Sequence, residues 1–456
     1  MGLGGVSVAS DYPEVSKDEL EKILNSLKKR FQNGDYPNYK ERIDRINRLK
    51  LLVEENSEDF HKALQNDFGT RHEQLSLLSD TLPIIASAKH ISKNLSKWMK
   101  PEKRKPNFPL GLLGAKAFIH NQPYGVVGII SPWNFPLNLS LGPLVEVFAA
   151  GNNAMMKLSE FVPETSDLTE KLVKQYFNDD EVVVINGGPQ TSQSFAGLAF
   201  DHLLFTGSTH IAKKIAYEAS ENLVPLTLEL GGKSPVIVGP KAKMKKSVDK
   251  IMMGKLLNAG QICISPDYVF LPEGKENEFV EHAKSYVQES YETLKNNPDY
   301  TSIIHLNHYE RLRSYISDAK SKGAEIVEIN PANEDLTQQE HHKIPPTLIL
   351  NPTDDMEVMK NEIFGPILPV MSYKNFDETI KYVNHNPKAL ALYYFGDDAK
   401  EVDDLLNKTT SGQLVTNDVL FQFSMHDLPF GGVGPSGSGS YHGHDGYRNF
   451  SHFSSL

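Results

Sequence analysis

The chain has 456 residues, of which 39% are hydrophobic and 23% charged, a balance typical of a folded globular protein of two or three domains. Its 47 Lys and Arg against 58 Asp and Glu give a net charge of −11, which argues against nucleic acid or an anionic membrane as the main partner. One cysteine excludes an internal disulfide. The longest apolar run, 141–156, is interrupted by Glu146 and two asparagines, and the first residues do not resemble a signal peptide. We therefore expect a cytoplasmic protein without a membrane span.

A helical layer is predicted at the start of the chain. Residues 17–98 are rich in Leu, Ile, Lys and Glu, and Ile43, Ile46 and Leu49 recur at the spacing of a helix with one apolar face. The basic, proline-containing segment 100–109 breaks this pattern, and we interpret it as a connector.

From residue 124 onward, short apolar runs alternate with helical stretches. The predicted strands are 126–130, 154–158, 182–185, 202–205, 236–238, 268–271, 348–350, 367–370 and 390–395. The predicted helices between them include 164–177, 210–220, 276–291 and 309–322. Buried strands separated by helices indicate parallel sheets covered on both faces, so the fold class is α/β with more than one sheet.

Two patterns in the C-terminal region do not carry the function that they suggest at first sight. The run GVGPSG at 432–437 matches the dinucleotide fingerprint, but no clear strand precedes it and only 19 residues follow it. His442, His444 and His452, with Asp445, could suggest a metal site. Histidines in a glycine-rich loop are more often hydrogen-bonded structure, so we expect no metal.

Two segments contain side chains that could react. Cys263 lies in the segment GQICI, where it is either a small buried hydrophobic residue or a nucleophile. Glu229 interrupts an apolar strand and is followed by two glycines. A carboxylate in that setting is either paired structurally or raised in pKa for use as a general base.

Two further segments lie at the ends of predicted strands. Two prolines fix the turn 131–136, which presents the Asn134 amide at the carboxyl end of a strand, where sites in α/β proteins gather. At 205–209 a strand runs into a helix, whose first backbone amides suit a pyrophosphate. Each segment, taken alone, is equally compatible with a structural role.

Together these segments resemble the NAD(P)-dependent aldehyde dehydrogenases. The matching strings, in family order, are PWNFP (132–136), FTGST (205–209), ELGGK (229–233), GQIC (260–263) and EIFGP (362–366). The strings DFGTRHEQ (67–74), CISPDY (263–268) and the long segment 428–452 are similar to the coniferyl-aldehyde dehydrogenase branch of the class 3-like group. The resemblance covers residues 20–453. The departures are Leu158, where the family usually has proline, and Ser438-Gly439-Ser440, where Met-Gly-Ala is more usual.

The resemblance implies a catalytic role for three residues. Cys263 is expected to attack the aldehyde carbon as a thiolate, and the Asn134 amide with the Cys263 backbone N–H to stabilise the alkoxide that forms. Loss of hydride leaves a thioester on Cys263, and Glu229 is expected to activate the water that hydrolyses it.

The resemblance also implies a cofactor site and a substrate site. The cofactor residues are expected to be Ser131, Trp133, Lys157, Glu160, Gly188, Gly207, Ser208, Glu362 and Phe364. A carboxylate at Glu160 favours NAD, because it repels a 2′-phosphate, although Lys157 leaves NADP possible. The substrate residues are expected to be Phe135, Asn138, Leu139 and Phe421. Apolar side chains and the lack of arginine in these segments favour a hydrophobic aldehyde, aromatic, cinnamyl-type or medium-chain aliphatic.

The architecture implied is a Rossmann-like cofactor domain, an α/β catalytic domain and a small β extension for a homodimer. The expected bounds are 1–103 and 122–229 for the cofactor domain, 230–413 for the catalytic domain, and 104–121 with 414–456 for the extension. The extension should pair the segment before Tyr124 with the C-terminal region. Two alternatives are an acylating enzyme that releases the acyl group to coenzyme A, and a structural protein that keeps the fold.

Overall fold

The computed structural model describes residues 12–456 and contains three sheets with helices packed around them. The helices are α1 (Lys17–Gln32), α2 (Tyr39–Glu55), α3 (Ser57–Phe68), α4 (Glu73–Ser76), α5 (Leu82–Trp98), α6 (Asn138–Ala150), α7 (Pro163–Tyr176), α8 (Pro189–Ala196), α9 (Thr209–Ser220), α10 (Met244–Leu256), α11 (Glu276–Ser290), α12 (Leu306–Ser321), α13 (Glu357–Lys360), α14 (Phe376–His385), α15 (Ala399–Lys408) and α16 (Gly443–Asn449). A π-helical turn (Leu77–Thr81) and two 3₁₀ turns (Leu257–Gly260 and Phe421–Ser424) complete them.

The strands are short, as expected for buried parallel sheets. They are β1 (Glu102–Arg104), β2 (Ala117–Pro123), β3 (Val126–Ile130), β4 (Asn153–Lys157), β5 (Val182–Ile185), β6 (His202–Thr206), β7 (Leu226–Glu229), β8 (Pro235–Val238), β9 (Tyr268–Pro272), β10 (Glu325–Glu328), β11 (Thr347–Leu350), β12 (Ile367–Tyr373), β13 (Ala391–Phe395), β14 (Gln413–Thr416), β15 (Gly437–Ser438) and β16 (Ser451–Ser455). The nine predicted strands and four predicted helices are confirmed, each within three residues of its predicted bounds.

The first large sheet has the strand order β15-β7-β6-β3-β4-β5. Its strands are parallel except β15, which pairs with β7 in the antiparallel sense. Every residue of β3 and β4 is buried, because helices cover both faces. The parallel strands bring their carboxyl ends to one edge of the sheet. The segment after β3, the start of α9 and Glu229 at the end of β7 therefore lie along the same edge.

The second large sheet has the order β10-β11-β12-β9-β8-β13-β14 and is parallel except for β10. Its central strands β8 and β13 are buried throughout. Segment 261–267, which contains Cys263, leads into β9, and the short loop 230–234 joins β7 of the first sheet to β8 of the second. The reactive segments thus lie where the two sheets meet.

The third sheet is small and antiparallel, with the order β1-β2-β16. The predicted pairing of the segment before Tyr124 with the C-terminal region is confirmed, since β2 pairs with β16 over five residues. The loop between β1 and β2 leaves four large apolar side chains in solvent. They are Phe108 (86% exposed), Leu110 (54%), Leu112 (80%) and Leu113 (79%). In the described part of the chain, no helix has the length and apolar character needed to cross a membrane.

Candidate active site

Cys263 lies on a loop whose backbone is tightly constrained. Asn258, Ala259 and Gly260 all have positive φ values, of 50°, 52° and 73°. At Gly260 a side chain is excluded, because a Cβ atom would lie 2.4 Å from the carbonyl oxygen of Gly365. The segment that contains Cys263 is therefore in direct backbone contact with the segment EIFGP.

Gln261 anchors this loop from within. It is fully buried, and its side-chain nitrogen donates to the carbonyl oxygens of Asn258 and Ser302, each at 3.0 Å. Its side-chain oxygen accepts the backbone N–H of Ile304 at 3.0 Å. Because the amide of Gln261 is satisfied on both sides, it fixes the position of the backbone two residues before Cys263.

The Cys263 thiol is half-buried and is the one thiol of the chain. Burial raises the pKa of the thiol to about 12, and the neighbouring carboxylates of Glu362 and Glu229 add to this increase. Backbone hydrogen bonds act in the opposite direction but are the smaller effect. With this raised pKa, the cysteine is a neutral thiol at neutral pH. The electrostatic effect of Glu362 and Glu229 indicates that both carboxyl groups lie near the sulfur.

Asn134 reaches the same loop from the end of β3. Its side-chain nitrogen donates to the carbonyl oxygen of Gln261 at 3.1 Å, and the residue is 3% exposed. Its own backbone carbonyl accepts from Arg71 Nη1 at 2.7 Å and from Asn258 Nδ2 at 3.3 Å. An amide nitrogen has two N–H donors, so this hydrogen bond to the loop leaves a second donor.

Arg71 is held in place by a buried partner. Its guanidinium donates to the Asp80 carboxylate, and both side chains are fully buried. Asp80 also accepts the backbone N–H of Asn138 at 3.4 Å, at the start of α6. The Arg71 guanidinium lies over the Phe135 ring at 5.2 Å. The buried ion pair therefore fixes both ends of the segment from Asn134 to Asn138.

Glu229 ends β7 and is 2% exposed. Neither of its carboxyl oxygens has a hydrogen-bond partner among residues 12–456. Burial raises the pKa of Glu229 well above its ordinary value, and the charge of Glu146 raises it further. The buried Tyr441 phenol interacts electrostatically with Glu229, Glu146 and Cys263. A buried carboxyl group whose pKa is raised in this way is a candidate general base.

Lys233 ties three of the motifs together. Its ammonium donates to Asp267 and to the backbone carbonyls of Val358 and Asn361, the latter two at 2.7 and 3.0 Å. The other Asp267 oxygen accepts the N–H of Ile363 at 2.9 Å. Segments ELGGK, CISPDY and EIFGP are thus joined through one ion pair, which brings Glu362 against Gly231 and close enough to Cys263 to raise the pKa of the thiol.

Glu362 and Phe364 belong to the segment EIFGP, which the Lys233–Asp267 ion pair holds in place. The Glu362 carboxylate fills the space beside Gly231, where a Cβ atom would lie 2.1 Å from Oε1. Burial raises the pKa of Glu362 to about 7, despite a backbone hydrogen bond from Gly232. Phe364 has a positive φ of 51°, and its ring meets the edge of Trp133 with centroids 5.4 Å apart. Phe364, which follows Glu362 by two residues, and Trp133 thus pack against each other.

The remaining predicted cofactor residues lie along the first sheet. Ser131 donates its backbone N–H to the Lys157 carbonyl at 3.1 Å, and its hydroxyl is buried without a partner in the described part of the chain. Lys157 Nζ is 3.3 Å from Glu160. Gly188 precedes α8 as its N-cap. Gly207 and Ser208 lie between β6 and α9, where the Ser208 hydroxyl accepts the Ile211 N–H at 3.4 Å.

A narrow crevice lies beside α6, which contributes three residues to its lining. Its lining consists of Pro83, Ser87, Asn138, Gly142, Glu146, Phe423, His426, Tyr441 and His442. Of the predicted substrate residues, Asn138 lies in this lining. Phe135 and Leu139 are buried in the main core beside it. Phe421 is 52% exposed and lies 5.5 Å from the Lys250 ammonium, so it does not fill core.

Several residues of the site had no signal in the sequence. Arg71 lies inside the string DFGTRHEQ, but its contact with Asn134 depends on the fold. Glu146 interrupts an apolar run, and Tyr441 belongs to a glycine-rich segment. The His308 ring packs against Trp133, with centroids 5.4 Å apart. Only the spatial arrangement identifies these residues.

Comparison with known proteins agrees with this arrangement. The sequence profile of the Aldehyde dehydrogenase family matches residues 6–456. A probable coniferyl aldehyde dehydrogenase of Caulobacter vibrioides is 51% identical over 98% of this chain and 92% of its own length. A coniferyl aldehyde dehydrogenase of Pseudomonas sp. strain HR199 is 45% identical over 99% and 92%. The substrate-bound structure of Staphylococcus aureus AldH superposes with a TM-score of 0.90 at 34% identity, over 96% of this chain and 93% of that chain.

Thiol labelling tests the protonation state of Cys263. Because its pKa is raised to about 12, the labelling rate of the cofactor-free protein should increase about tenfold per pH unit from pH 7 to pH 10 without reaching a plateau. One label per chain should be incorporated, and Cys263→Ala should incorporate none. A plateau by pH 8 would show instead that the folded protein stabilises the thiolate.

Proposed function

The chain belongs to the aldehyde dehydrogenase family, and on that premise we propose that it oxidises a hydrophobic aldehyde to the carboxylic acid through a thioester on Cys263, with NAD or NADP. The observation that carries the proposal is the convergence of three groups at one point. The Cys263 thiol interacts with the Glu229 carboxyl, and the Asn134 amide donates to the backbone of the same loop.

The first half-reaction begins with loss of the thiol proton. The sulfur of Cys263 bonds to the aldehyde carbon, and the carbonyl oxygen becomes an alkoxide. The second N–H of Asn134 and the backbone N–H of Cys263 are the donors that stabilise this charge. When bound, the oxidised nicotinamide supplies the hydride acceptor. Loss of hydride from the former aldehyde carbon restores the C=O bond and leaves the acyl group on sulfur as a thioester.

The second half-reaction is hydrolysis of this thioester. Glu229, in its ionised form, takes a proton from water while the water oxygen attacks the acyl carbon. The C–S bond breaks, the carboxylic acid leaves, and Cys263 is released as a thiolate, which can take up the proton that Glu229 received. Neither Glu229 oxygen has a hydrogen-bond partner within the described chain, so both can accept a hydrogen bond from the attacking water.

The first sheet supplies groups that fit a dinucleotide. The unpartnered Ser131 hydroxyl and Glu362 Oε1 are buried polar atoms that a ribose or amide can satisfy. Gly207 and Ser208, at the start of α9, offer backbone N–H groups to a pyrophosphate. Glu160, already paired with Lys157 at 3.3 Å, would bind ribose hydroxyls and repel a 2′-phosphate. This pair favours NAD over NADP.

The crevice favours an uncharged, hydrophobic substrate. None of the side chains in its lining is cationic at neutral pH, because burial lowers the pKa of His442 to about 3 and also lowers that of His426. Glu146 would repel a carboxylate when ionised. The Phe423 ring packs edge-to-face on His442 with centroids 4.8 Å apart and offers an aromatic surface. The names of the two coniferyl aldehyde dehydrogenases point to the same class of aromatic aldehyde.

A homodimer accounts for the exposed apolar loop between β1 and β2. Phe108, Leu112 and Leu113 are each at least 79% exposed within a few residues of one another. A contiguous apolar surface of this kind marks an interaction site. The three-stranded sheet that carries it also has free strand edges at β1 and β16. A second copy of the chain is the occupant that we propose.

Glu229→Gln should separate the two half-reactions. The substitution keeps the shape but removes the base, so NADH should form in a rapid burst and turnover should fall about 100-fold. Asn134→Ala should instead lower the burst rate about 100-fold, because it removes an alkoxide donor. Rapid-mixing absorbance of NADH distinguishes these cases, with Cys263→Ala as the inactive control. Loss of the burst in Glu229→Gln would contradict the assignment of Glu229 to hydrolysis.

A panel of aldehydes tests the substrate class. We expect higher kcat/KM for cinnamyl-type, aromatic and medium-chain aliphatic aldehydes than for succinic semialdehyde, measured with NAD and with NADP. Phe423→Ala and Phe421→Ala should both change the ranking, and Phe423 should have the larger effect because it lies in the crevice. A preference for the semialdehyde would refute the substrate assignment, and an unchanged ranking in both variants would refute the roles of the two rings.

Light scattering after size exclusion tests the dimer. The variant with Leu112→Asp and Leu113→Asp should elute with the mass of one chain at a concentration where the unchanged protein has the mass of two. Leu223→Asp, at a residue that is 87% exposed elsewhere, is the matched control and should remain dimeric. If the double variant keeps the mass of the unchanged protein, this loop is not the interface.

A further inference from the structure

A row of aromatic rings connects the end of β4 with the segment EIFGP. The ring centroids of Phe161 and His305 are 4.7 Å apart, and those of His305 and His308 are 4.5 Å apart. Trp133 continues the row, with its centroid 5.4 Å from His308 and 5.4 Å from Phe364. Phe161 and Trp133 follow strands of the first sheet, whereas the two histidines belong to the start of α12, which packs on β10 of the second sheet. The row therefore bridges the two sheets.

The two ends of this row coincide with the two ends proposed for the dinucleotide. Phe161 directly follows Glu160, which is proposed to bind ribose hydroxyls, and Phe364 is two residues after Glu362, whose buried oxygen suits a ribose or an amide. In a dinucleotide, the pyrophosphate lies between the two riboses. The middle of the row, which His305 occupies, is therefore where the pyrophosphate is expected.

Hydrogen bonding determines which nitrogen of His305 carries the proton. Nδ1 accepts the backbone N–H of His308 at 3.3 Å, so His305 is the N-cap of α12. Burial lowers the pKa of His305 to about 4, so the ring is neutral at neutral pH and its single proton resides on Nε2. Nε2 is buried and has no hydrogen-bond partner within residues 12–456. A buried N–H without an acceptor is costly, and this one therefore indicates a ligand atom that accepts a hydrogen bond.

The charge near His305 favours an anionic acceptor. Arg311, on the first turns of α12, donates its Nε–H to Nδ1 of His308 at 3.3 Å. Its two terminal nitrogens donate to the backbone carbonyls of Glu362 at 3.4 Å and Ile363 at 2.9 Å. None of these three acceptors carries a charge, so the positive charge of the guanidinium is available to an anion that binds beside the two histidines.

We propose that His305 is a cofactor-binding residue, whose Nε2–H donates a hydrogen bond to an oxygen of the dinucleotide pyrophosphate. The rings of Phe161 and His308, next to the imidazole, hold its orientation, and the His308 N–H holds its tautomer. The start of α9 would bind the pyrophosphate from the first sheet, and His305 would bind it from α12. This inference rests on the proposed function only in placing a dinucleotide in the cleft.

Equilibrium binding without aldehyde tests the proposal. His305→Asn keeps an acceptor for the N-terminus of α12 but is too short to replace Nε2–H, and His305→Phe keeps a ring beside Phe161 but has no donor. Because both variants lose the Nε2–H, both should bind NADH and ADP about tenfold more weakly than the unchanged protein, with adenosine bound equally well. Fluorescence titration of NADH and calorimetry of ADP and adenosine measure these affinities. His385→Asn, at an exposed histidine that ends α14, is the matched control and should bind all three like the unchanged protein.

Weaker binding in only one of the two His305 variants would show that the cap or the ring is what matters, and would overturn the proposal. An equal loss of affinity for adenosine would also overturn it, since adenosine has no phosphate. If the unchanged protein binds neither NADH nor NADPH, the proposed function itself fails, and the assignment of His305 fails with it.

Nuclear magnetic resonance of the unchanged protein with ¹⁵N-labelled histidine decides the case if the variants do not fold. A histidine signal of the Nε2–H tautomer should shift when ADP is added and stay in place when adenosine is added. A spectrum in which no histidine ring N–H responds to ADP would overturn the proposal.

Discussion

The desolvation of three acidic groups around one sulfur is the constraint on which the rest of this site depends. Glu229 is buried, Glu362 and Cys263 are partly buried, and desolvation is the largest cause of the raised pKa of each. Within residues 12–456, no cationic side chain bonds to the Glu229 carboxyl to offset this cost. The raised pKa of each group favours its neutral form, and substrate and cofactor can shift these protonation equilibria when they change the local charge.

Two ion pairs that surround these groups, Lys233–Asp267 and Arg71–Asp80, hold the segments that carry them in place. Lys233 joins Asp267 and two backbone carbonyls, and thereby fixes three segments that are far apart in sequence. Arg71 and Asp80 do the same for Asn134 and the start of α6. Both ion pairs make additional hydrogen bonds, which help a buried pair to specify one arrangement, although Arg71 Nε has no partner within residues 12–456. The reactive groups themselves carry few such bonds and remain free to react.

The sequence was sufficient for the elements whose pattern is local. Continuous apolar runs such as 126–130 predict buried parallel strands because both faces of the sheet are covered, and the structure confirms them. The motifs also identified the family, since five spaced strings agree in order. The roles proposed for Cys263, Glu229 and Asn134 rest on those motifs and not on any periodicity.

What the sequence could not give is the pairing of buried charges. In the sequence, Glu146 only interrupts an apolar helix. Its hydrogen bond from the backbone N–H of His442, nearly 300 positions later, depends on the fold. The same holds for Arg71, whose contact with Asn134 spans 63 positions. Phe423 rather than Phe421 lies in the crevice because a 3₁₀ turn at Phe421–Ser424 rotates the two rings apart.

The central claim is that oxidation proceeds through an acyl group on Cys263. Mass spectrometry of protein quenched in acid after mixing with aldehyde and NAD measures this directly, and the acyl group should accumulate more as the pH of the reaction is lowered, because Glu229, whose pKa is raised, then becomes protonated. The account predicts an added mass equal to that of the aldehyde less two hydrogen atoms, located on the peptide that contains Cys263. An adduct with the full aldehyde mass alone, an adduct on another residue, or NADH formation without any adduct would contradict it.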